Sequence, residues 1–323
     1  MTYPWQQSQW QQLMERKDSF NFSLPHALLL LGIKGVGKAD FAEKFIRVQL
    51  CQSSGEDDCD CHSCRLIAGK THPDVLWIQP EKKGAAIKID QIREISDFIN
   101  QTSLQGEYRF VLIPNAGSMN INAANALLKT LEEPASGSML ILTCEQASHL
   151  PATIVSRCQH IHFPRPKTEL AMEWLRPKLS SDTPELLLRL ANGGPLLALQ
   201  FMEDDLLLSR TNVLRDLFAL SQKKIDPLKA AANTGDIEIV YLLDIMLTVA
   251  TDLLRLQLNG NDNDIINQDF LAQLNLLQQQ TSPKQIISYL NFLLVLRGQQ
   301  QKGFNLNKQL TIENMFIRWL ECA

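Results

Sequence analysis

The sequence predicts an α/β P-loop domain with a parallel sheet, followed by a small helical domain and an all-α C-terminal domain. Three observations carry that expectation. Gly32-Ile33-Lys34-Gly35-Val36-Gly37-Lys38 is a G-x(4)-G-K phosphate-binding core set between an apolar run and a helix-period segment. Short apolar runs then alternate with helical patterns as far as Pro164-Arg165-Pro166, which implies a parallel sheet covered on both faces. From about residue 206 onward, leucine-rich helical segments dominate. The expected domains are 1–165, with a cysteine insert at 51–64, then 166–205 and 206–323.

In order along the chain, Trp5, Trp10, Leu13 and Met14 recur at roughly helical spacing and predict a short amphipathic helix laid against the first strand, a structural segment or, alternatively, one that borders the adenine side of a nucleotide pocket. His26 to Leu31 is continuously apolar after its first residue, as in a strand buried on both faces. Gly32 and Gly37 allow the backbone to turn with its N–H groups inward, and Lys38 would reach the β- and γ-phosphates of a nucleotide. The residue after this lysine normally carries the hydroxyl that binds Mg²⁺, but here it is Ala39, and a methyl group cannot coordinate a metal. Phe41, Phe45 and Val48, with Ala42 and Ile46, mark the following helix.

Four of the seven cysteines, Cys51, Cys59, Cys61 and Cys64, then fall in the order C-x(7)-C-x-C-x(2)-C. An odd cysteine total does not suggest a disulfide framework, and four thiolates satisfy the tetrahedral preference of Zn²⁺ with no open position, so the metal reads as structural. A loop of free thiols is the alternative, and His62 could replace one cysteine because the Cys59-Asp60-Cys61 spacing is short. Cys144, Cys158 and Cys322 are scattered and read as buried thiols.

Asp74 to Gln79 predicts a second strand, followed by a loop at Pro80–Gly84, and Ile89, Ile92, Ile95 and Ile99 predict a helix. Phe110 to Ile113 predicts the third strand. In a P-loop ATPase its end supplies the carboxylate that holds Mg²⁺ and a Glu that activates water, whereas this chain has Pro114-Asn115. Asp90 and Glu107 read as solvated or capping residues. Ala124, Leu127, Leu128 and Leu131 mark a helix ended by Pro134, Met139 to Leu142 a fourth strand closing at Thr143, and Ile161 to Phe163 a fifth, after a short helix at Leu150–Val155. Beyond these, short helices break at Asn192-Gly193-Gly194-Pro195, one long helix runs from Ile239 to Leu258, and Ser282-Pro283 begins another.

The composition, with 45% hydrophobic and 20% charged residues, is that of a globular protein, and the net charge of -4 argues against a surface that grips nucleic acid by charge alone. No run of 18 or more uncharged apolar residues occurs, and MTYPWQQSQW lacks a signal-peptide pattern, so no membrane contact and a cytoplasmic location are expected.

The order of P-loop, four-cysteine insert, Thr71-His72-Pro73-Asp74, Ala126-Leu127-Leu128-Lys129-Thr130-Leu131-Glu132-Glu133-Pro134 and Ser156-Arg157-Cys158 resembles the bacterial DNA polymerase III clamp loader, of the AAA+ class. The resemblance implies an AAA+ domain, a helical lid and a C-terminal collar that assembles with gamma/tau and delta subunits, acting on the sliding clamp and primed DNA through the assembly. It implies that Cys51, Cys59, Cys61 and Cys64 hold zinc. It also implies that Arg157 acts in trans, as a finger toward the ATP site of the adjacent subunit; the alternative is an arginine that merely pairs with a carboxylate at its own domain surface. In the family's hydrolysing gamma/tau subunit the third strand ends in Asp-Glu, and a lid arginine senses nucleotide in a Gly-Ser-x-Arg context. Asn115 and Leu196 stand at those places here, and with Ala39 they imply loss of metal site, water activation and sensing. Thr143 matches the first sensor position. Gly32, Gly35, Gly37 and Lys38 are thus expected to bind ATP weakly or not at all, with no ATPase or polymerase chemistry from this chain alone. Two alternatives stay open: a working ATPase of this fold that recruits a metal ligand from elsewhere, and a zinc-dependent adaptor whose P-loop is a relic.

Overall fold

The apolar runs become strands because each side chain, whichever way it points, meets helices. In the computed structural model β1 (Ala27–Gly32) follows α1 (Gln7–Asp18) and leads into α2 (Lys38–Leu50). Then come α3 (His62–Ala68), β2 (Val75–Trp77), α4 (Ile89–Ile99), β3 (Arg109–Ile113), α5 (Ile121–Glu132), β4 (Ser138–Cys144), α6 (Ala152–Val155), β5 (Gln159–Phe163) and α7 (Thr168–Leu175). Residues 2–18, 24–53, 59–82, 85–105, 107–179, 183–203, 206–235, 237–258, 260–301 and 306–322 are described. The interior of the cysteine insert at 54–58, the end of the Pro80–Gly84 loop and residues 204–205 of the expected lid lie outside them.

The five strands are all parallel, in the order β2-β3-β4-β1-β5. Leu29 and Leu31 of β1 share one core with Val111, Ile113, Leu140 and Leu142 and with the inner faces of α4 and α5. Leu28 and Leu30 point the other way, into a core with Phe110, Leu112, Ile141, Ile161 and the α2 residues Phe41, Phe45 and Ile46. This alternation explains the unbroken apolar pattern, and each leucine fully buried this way contributes about 1.5–3 kcal/mol. On α4 the buried face is Ile92, Ile95 and Ile99. Asn120 caps α5 by accepting a bond from the Ala123 N–H at 2.8 Å.

Two expectations need correction. Trp5 does not lie on the amphipathic helix; it belongs to a 3-10 turn at Pro4–Gln6 that precedes α1. Leu13 of α1 does join the core of Leu28 and Leu30, but the polar tie of the helix is to the edge strand, through Gln9 Nε2 donating to the His162 carbonyl at 3.0 Å. In addition, the cysteine insert ends in a helix, α3, which its polar composition did not announce.

The chain divides into two compact units, 1–173 and 174–323. The second is helical, with α8 (Pro184–Leu190), α9 (Pro195–Glu203), α10 (Leu206–Ser221), α11 (Pro227–Asn233), α12 (Ile239–Gln257), α13 (Leu271–Gln278), α14 (Pro283–Gln301) and α15 (Lys308–Leu320). Ser282 and Gln285 form a reciprocal cap at the start of α14, at 3.2 and 3.3 Å. Trp319 is fully buried and donates to the Leu217 carbonyl at 3.2 Å and to Ser221 Oγ at 3.0 Å, fastening α15 to α10. No helix among the described residues is long and apolar enough to cross a membrane.

A buried polar network fixes the segment between α12 and α13. Asp252, wholly buried, accepts bonds from the N–H groups of Ile266 and Asn267 at 3.0 and 2.8 Å and from Asn267 Nδ2 at 2.7 Å. Asn267 Oδ1 in turn accepts from the buried guanidinium of Arg210, whose two Nη atoms also meet the Asp269 carboxylate at 2.7 Å. Such a network is favourable only when complete, because each stranded donor costs about 1–3 kcal/mol. Asp252→Ala should therefore lower unfolding stability by about 3 kcal/mol or more, read as a shift in the urea midpoint, while Arg255→Ala at the exposed rim of the network should cost under about 1 kcal/mol.

Candidate functional site

Leaving the sheet after β1, the backbone passes so close to β5 that a Cβ on Gly32 would sit 2.4 Å from the Phe163 carbonyl oxygen. Glycine is required there by contact. At the far end of the loop, Gly37 takes a left-handed φ of 80° as the cap of α2, and a Cβ would collide with the Tyr3 ring at 2.4 Å. Between these points the loop is held from outside by the N-terminal segment. Gln6 Nε2 donates to the carbonyls of Val36 and Gly37, both at 2.8 Å, and Trp5 Nε1 donates to Val36 at 3.0 Å. Tyr3 stacks on Trp5 with ring centroids 5.1 Å apart, and its hydroxyl donates to Asp40 at 2.7 Å.

Lys38 is buried, and its ammonium donates to the loop's own carbonyls at Gly32 (2.7 Å) and Ile33 (2.9 Å). Burial pushes its pKa down, and the charge of Glu145, just beyond β4, opposes that shift. Gly32, Gly35, Gly37 and Lys38 thus do form one loop at the carboxyl end of the sheet, where α/β folds place their ligands. The chain after β3 carries no acid: Asn115 adopts a left-handed φ of 57°, and its N–H donates to Thr143 Oγ1 at 3.1 Å. Thr143 therefore ties the end of β3 to β4. Ala39 lies in the first turn of α2 and Leu196 in α9 of the second unit.

The cysteine insert grows directly out of α2. Cys51 is the C-cap residue of that helix, Cys61 the N-cap of α3 and Cys64 stands in its first turn. The four Sγ atoms lie within 4.8 Å of one another, with Cys51 at 3.5 Å from Cys59 and 3.9 Å from Cys61. Sulfurs around a tetrahedral zinc with Zn–S near 2.3 Å would be about 3.8 Å apart, so the donor set fits the metal despite the short Cys59–Cys61 spacing. His62 is exposed and outside the group. Backbone N–H groups of Cys64 and then Gln52 pull the Cys61 thiol down to about 6, whereas burial pushes Cys64 up to about 12. Arg47, near the end of α2, donates to the Cys59 carbonyl at 2.6 Å.

The Thr71-His72-Pro73-Asp74 stretch anchors this insert to the sheet. His72 Nδ1 accepts from the Asp74 N–H at 3.0 Å, which leaves Nε2 as the protonated nitrogen donating to Ser63 Oγ of α3 at 3.0 Å. The fully buried Asp74 carboxylate accepts from the N–H groups of Leu104 and Gln105, both at 2.7 Å, beside the buried Arg109 at 3.9 Å.

Among the described residues, Arg157 touches neither the loop nor the insert. Its Nη2 pairs with Glu132 at 2.7 Å and its Nη1 donates to the Thr153 carbonyl at 3.0 Å, with both side chains of the ion pair partly exposed. Sequence reasoning missed the contacts of Tyr3 and Gln6 on the loop; the only signal was an aromatic-proline-aromatic opening at Tyr3-Pro4-Trp5. It also missed the charge of Glu145 acting on Lys38.

With this geometry in place, a family model described as DNA polymerase III, delta subunit matches residues 5–167, and one described as DNA polymerase III, delta subunit, C terminal matches residues 204–321. The DNA polymerase III subunit delta' of Pseudomonas aeruginosa is 32% identical over 322 residues, covering 98% of this chain and 97% of that protein. Its counterpart in Haemophilus influenzae is 32% identical over 257 residues, covering 78% and 77%. The DNA polymerase III subunit tau of Bacillus subtilis is 34% identical over 142 residues, 43% of this chain and 25% of that protein.

The anchor has a pH signature. Burial lowers the His72 pKa below its ordinary 6.5, so the unfolded chain binds this proton more readily than the folded one. The contribution is fully present above pH 6.5 and is lost as pH falls from there toward the depressed folded value. Urea unfolding at pH 7.5 and 5.5 should show a smaller loss of stability on acidification for His72→Gln than for the unsubstituted protein.

Proposed function

The chain belongs to the family of DNA polymerase III delta' subunits, and we propose that it serves as a non-hydrolysing subunit of the clamp loader, helping to load the sliding clamp onto primed DNA. The observation that carries this reading is the phosphate loop, whose lysine is bonded to its own carbonyls while Tyr3, Trp5 and Gln6 cover its outer side. A triphosphate entering the loop would have to draw Lys38 away from two short hydrogen bonds. It would then find alanine at position 39 and asparagine at position 115, in place of the groups that bind Mg²⁺ and activate water.

In this reading the chain contributes structure and one charge to the assembly. An AAA+ domain at 1–165, a lid at 166–205 and a collar domain at 206–323 assemble with gamma/tau and delta subunits in the cytoplasm. Arg157 faces the ATP site of a neighbouring subunit, where its positive charge stabilises the charge developing on the γ-phosphate. Fingers of this kind are worth about 10³–10⁵ in rate. The four cysteines hold one zinc ion that staples the polar insert to α2, supported by sulfur separations that suit a tetrahedral site.

Three measurements test the reading. The purified chain should show no ATP turnover alone, and Arg157→Ala should lower the DNA-stimulated ATPase of the assembled loader without preventing assembly; unchanged turnover would sink the finger. Atomic absorption should find one zinc per chain. Cys61→Ser or chelation should lower the melting temperature, whereas a folded, equally stable variant that has lost a partner would point to an adaptor role for the insert.

A further inference from the structure

We propose that Glu132 is a positioning residue for Arg157, presetting the guanidinium for a triphosphate held by the neighbouring subunit; this rests on the reading of Arg157 as a finger in trans. The two residues are far apart in sequence, and the fold brings together the last residue of α5 and the turn that follows α6. Glu132 Oε1 lies 2.7 Å from Nη2 of Arg157, the Thr153 carbonyl accepts from Nη1 at 3.0 Å, and Ser156 Oγ stands 3.5 Å from the same Nη1. The guanidinium is thereby held by acceptors on two separate elements.

Stability does not explain the arrangement. Arg157 is 36% exposed and Glu132 51% exposed, and an ion pair so placed adds little to folding because water already solvates both charges. The local sequence is unfavourable without it. Glu132 and Glu133 stand together where α5 ends, at the negative pole of the helix dipole, a place that favours cations. Glu132 stays on the outer side because Leu127 and Leu131 anchor the other face of α5 in the core. The backbone under Glu132 is therefore fixed at the surface, and the ion pair with Arg157 favours one orientation of the guanidinium.

An exposed arginine otherwise samples many rotamers, and ordering it on each catalytic cycle would cost entropy at the moment the charge on the γ-phosphate develops. A group that presets the arginine acts on the transition state more than on nucleotide binding, so its loss falls on kcat rather than KM.

The test uses the loader assembled from full-length subunits, with ATP turnover measured on primed DNA. Arg157→Ala sets the floor. Glu132→Ala should lower kcat about two- to fivefold with KM for ATP unchanged, and Glu132→Gln, which keeps a hydrogen bond without the charge, should fall between it and the parent. The double variant should be no slower than Arg157→Ala alone. Normal kcat in Glu132→Ala, where Arg157→Ala is slow, would overturn the positioning role and leave the finger intact. A faster Glu132→Ala would overturn it too, since Glu132 would then restrain the arginine. Unchanged turnover in Arg157→Ala would instead remove the finger itself. A Glu132→Ala chain that melts normally but no longer assembles would overturn the proposal in favour of an interface contact.

Discussion

A buried ammonium group must be compensated, and the architecture around the phosphate loop follows from how Lys38 meets that requirement. Its two short bonds to Gly32 and Ile33 draw the loop in on itself, with the negative charge of Glu145 acting from beyond β4. The carbonyls further along, at Val36 and Gly37, are taken by Gln6 and Trp5, so the outward-facing acceptors of the loop find partners within the chain. The first residues of the chain are thereby bonded to the loop and become part of its surroundings.

From this loop one continuous rigid path leads to the cysteine centre. α2 starts at Lys38 and its C-cap is Cys51, so the phosphate loop and the first sulfur are the two ends of a single helix. Arg47 near its last turn grips the Cys59 carbonyl, and His72 and Asp74 fasten the far side of the insert to β2 and to the segment before β3. A polar insert with almost no apolar residues cannot make a core of its own. Its described ends are held by the C-terminal end of α2, through Cys51 and Arg47, and by the buried His72 bonded to Ser63.

Arg157 and Glu132 show the opposite regime, in which charges stay near water and fix direction more than stability. The second unit uses buried charge differently. Arg210, Asn267 and Asp252 satisfy one another in its interior and pin an irregular segment between two helices.

The sequence by itself determined the fold class and most elements of the first unit. Uninterrupted runs such as Leu28 to Leu31, alternating with helical segments, fit strands buried on both faces of a covered parallel sheet, and isoleucines at helical spacing on α4 leave one apolar face. It also located the phosphate loop and grouped the cysteines, because both depend on residues close together in the chain. Strand ends shifted by a residue or two, since they depend on which neighbour supplies the last hydrogen bond. What only the tertiary structure decided were contacts between distant residues: Gln6 and Tyr3 on the loop, Thr143 as a tie to Asn115, and Glu132 beside Arg157. No periodicity records such pairs. They exist because sheet order and helix packing bring separated segments to one place, and each polar group then bonds to what it finds there.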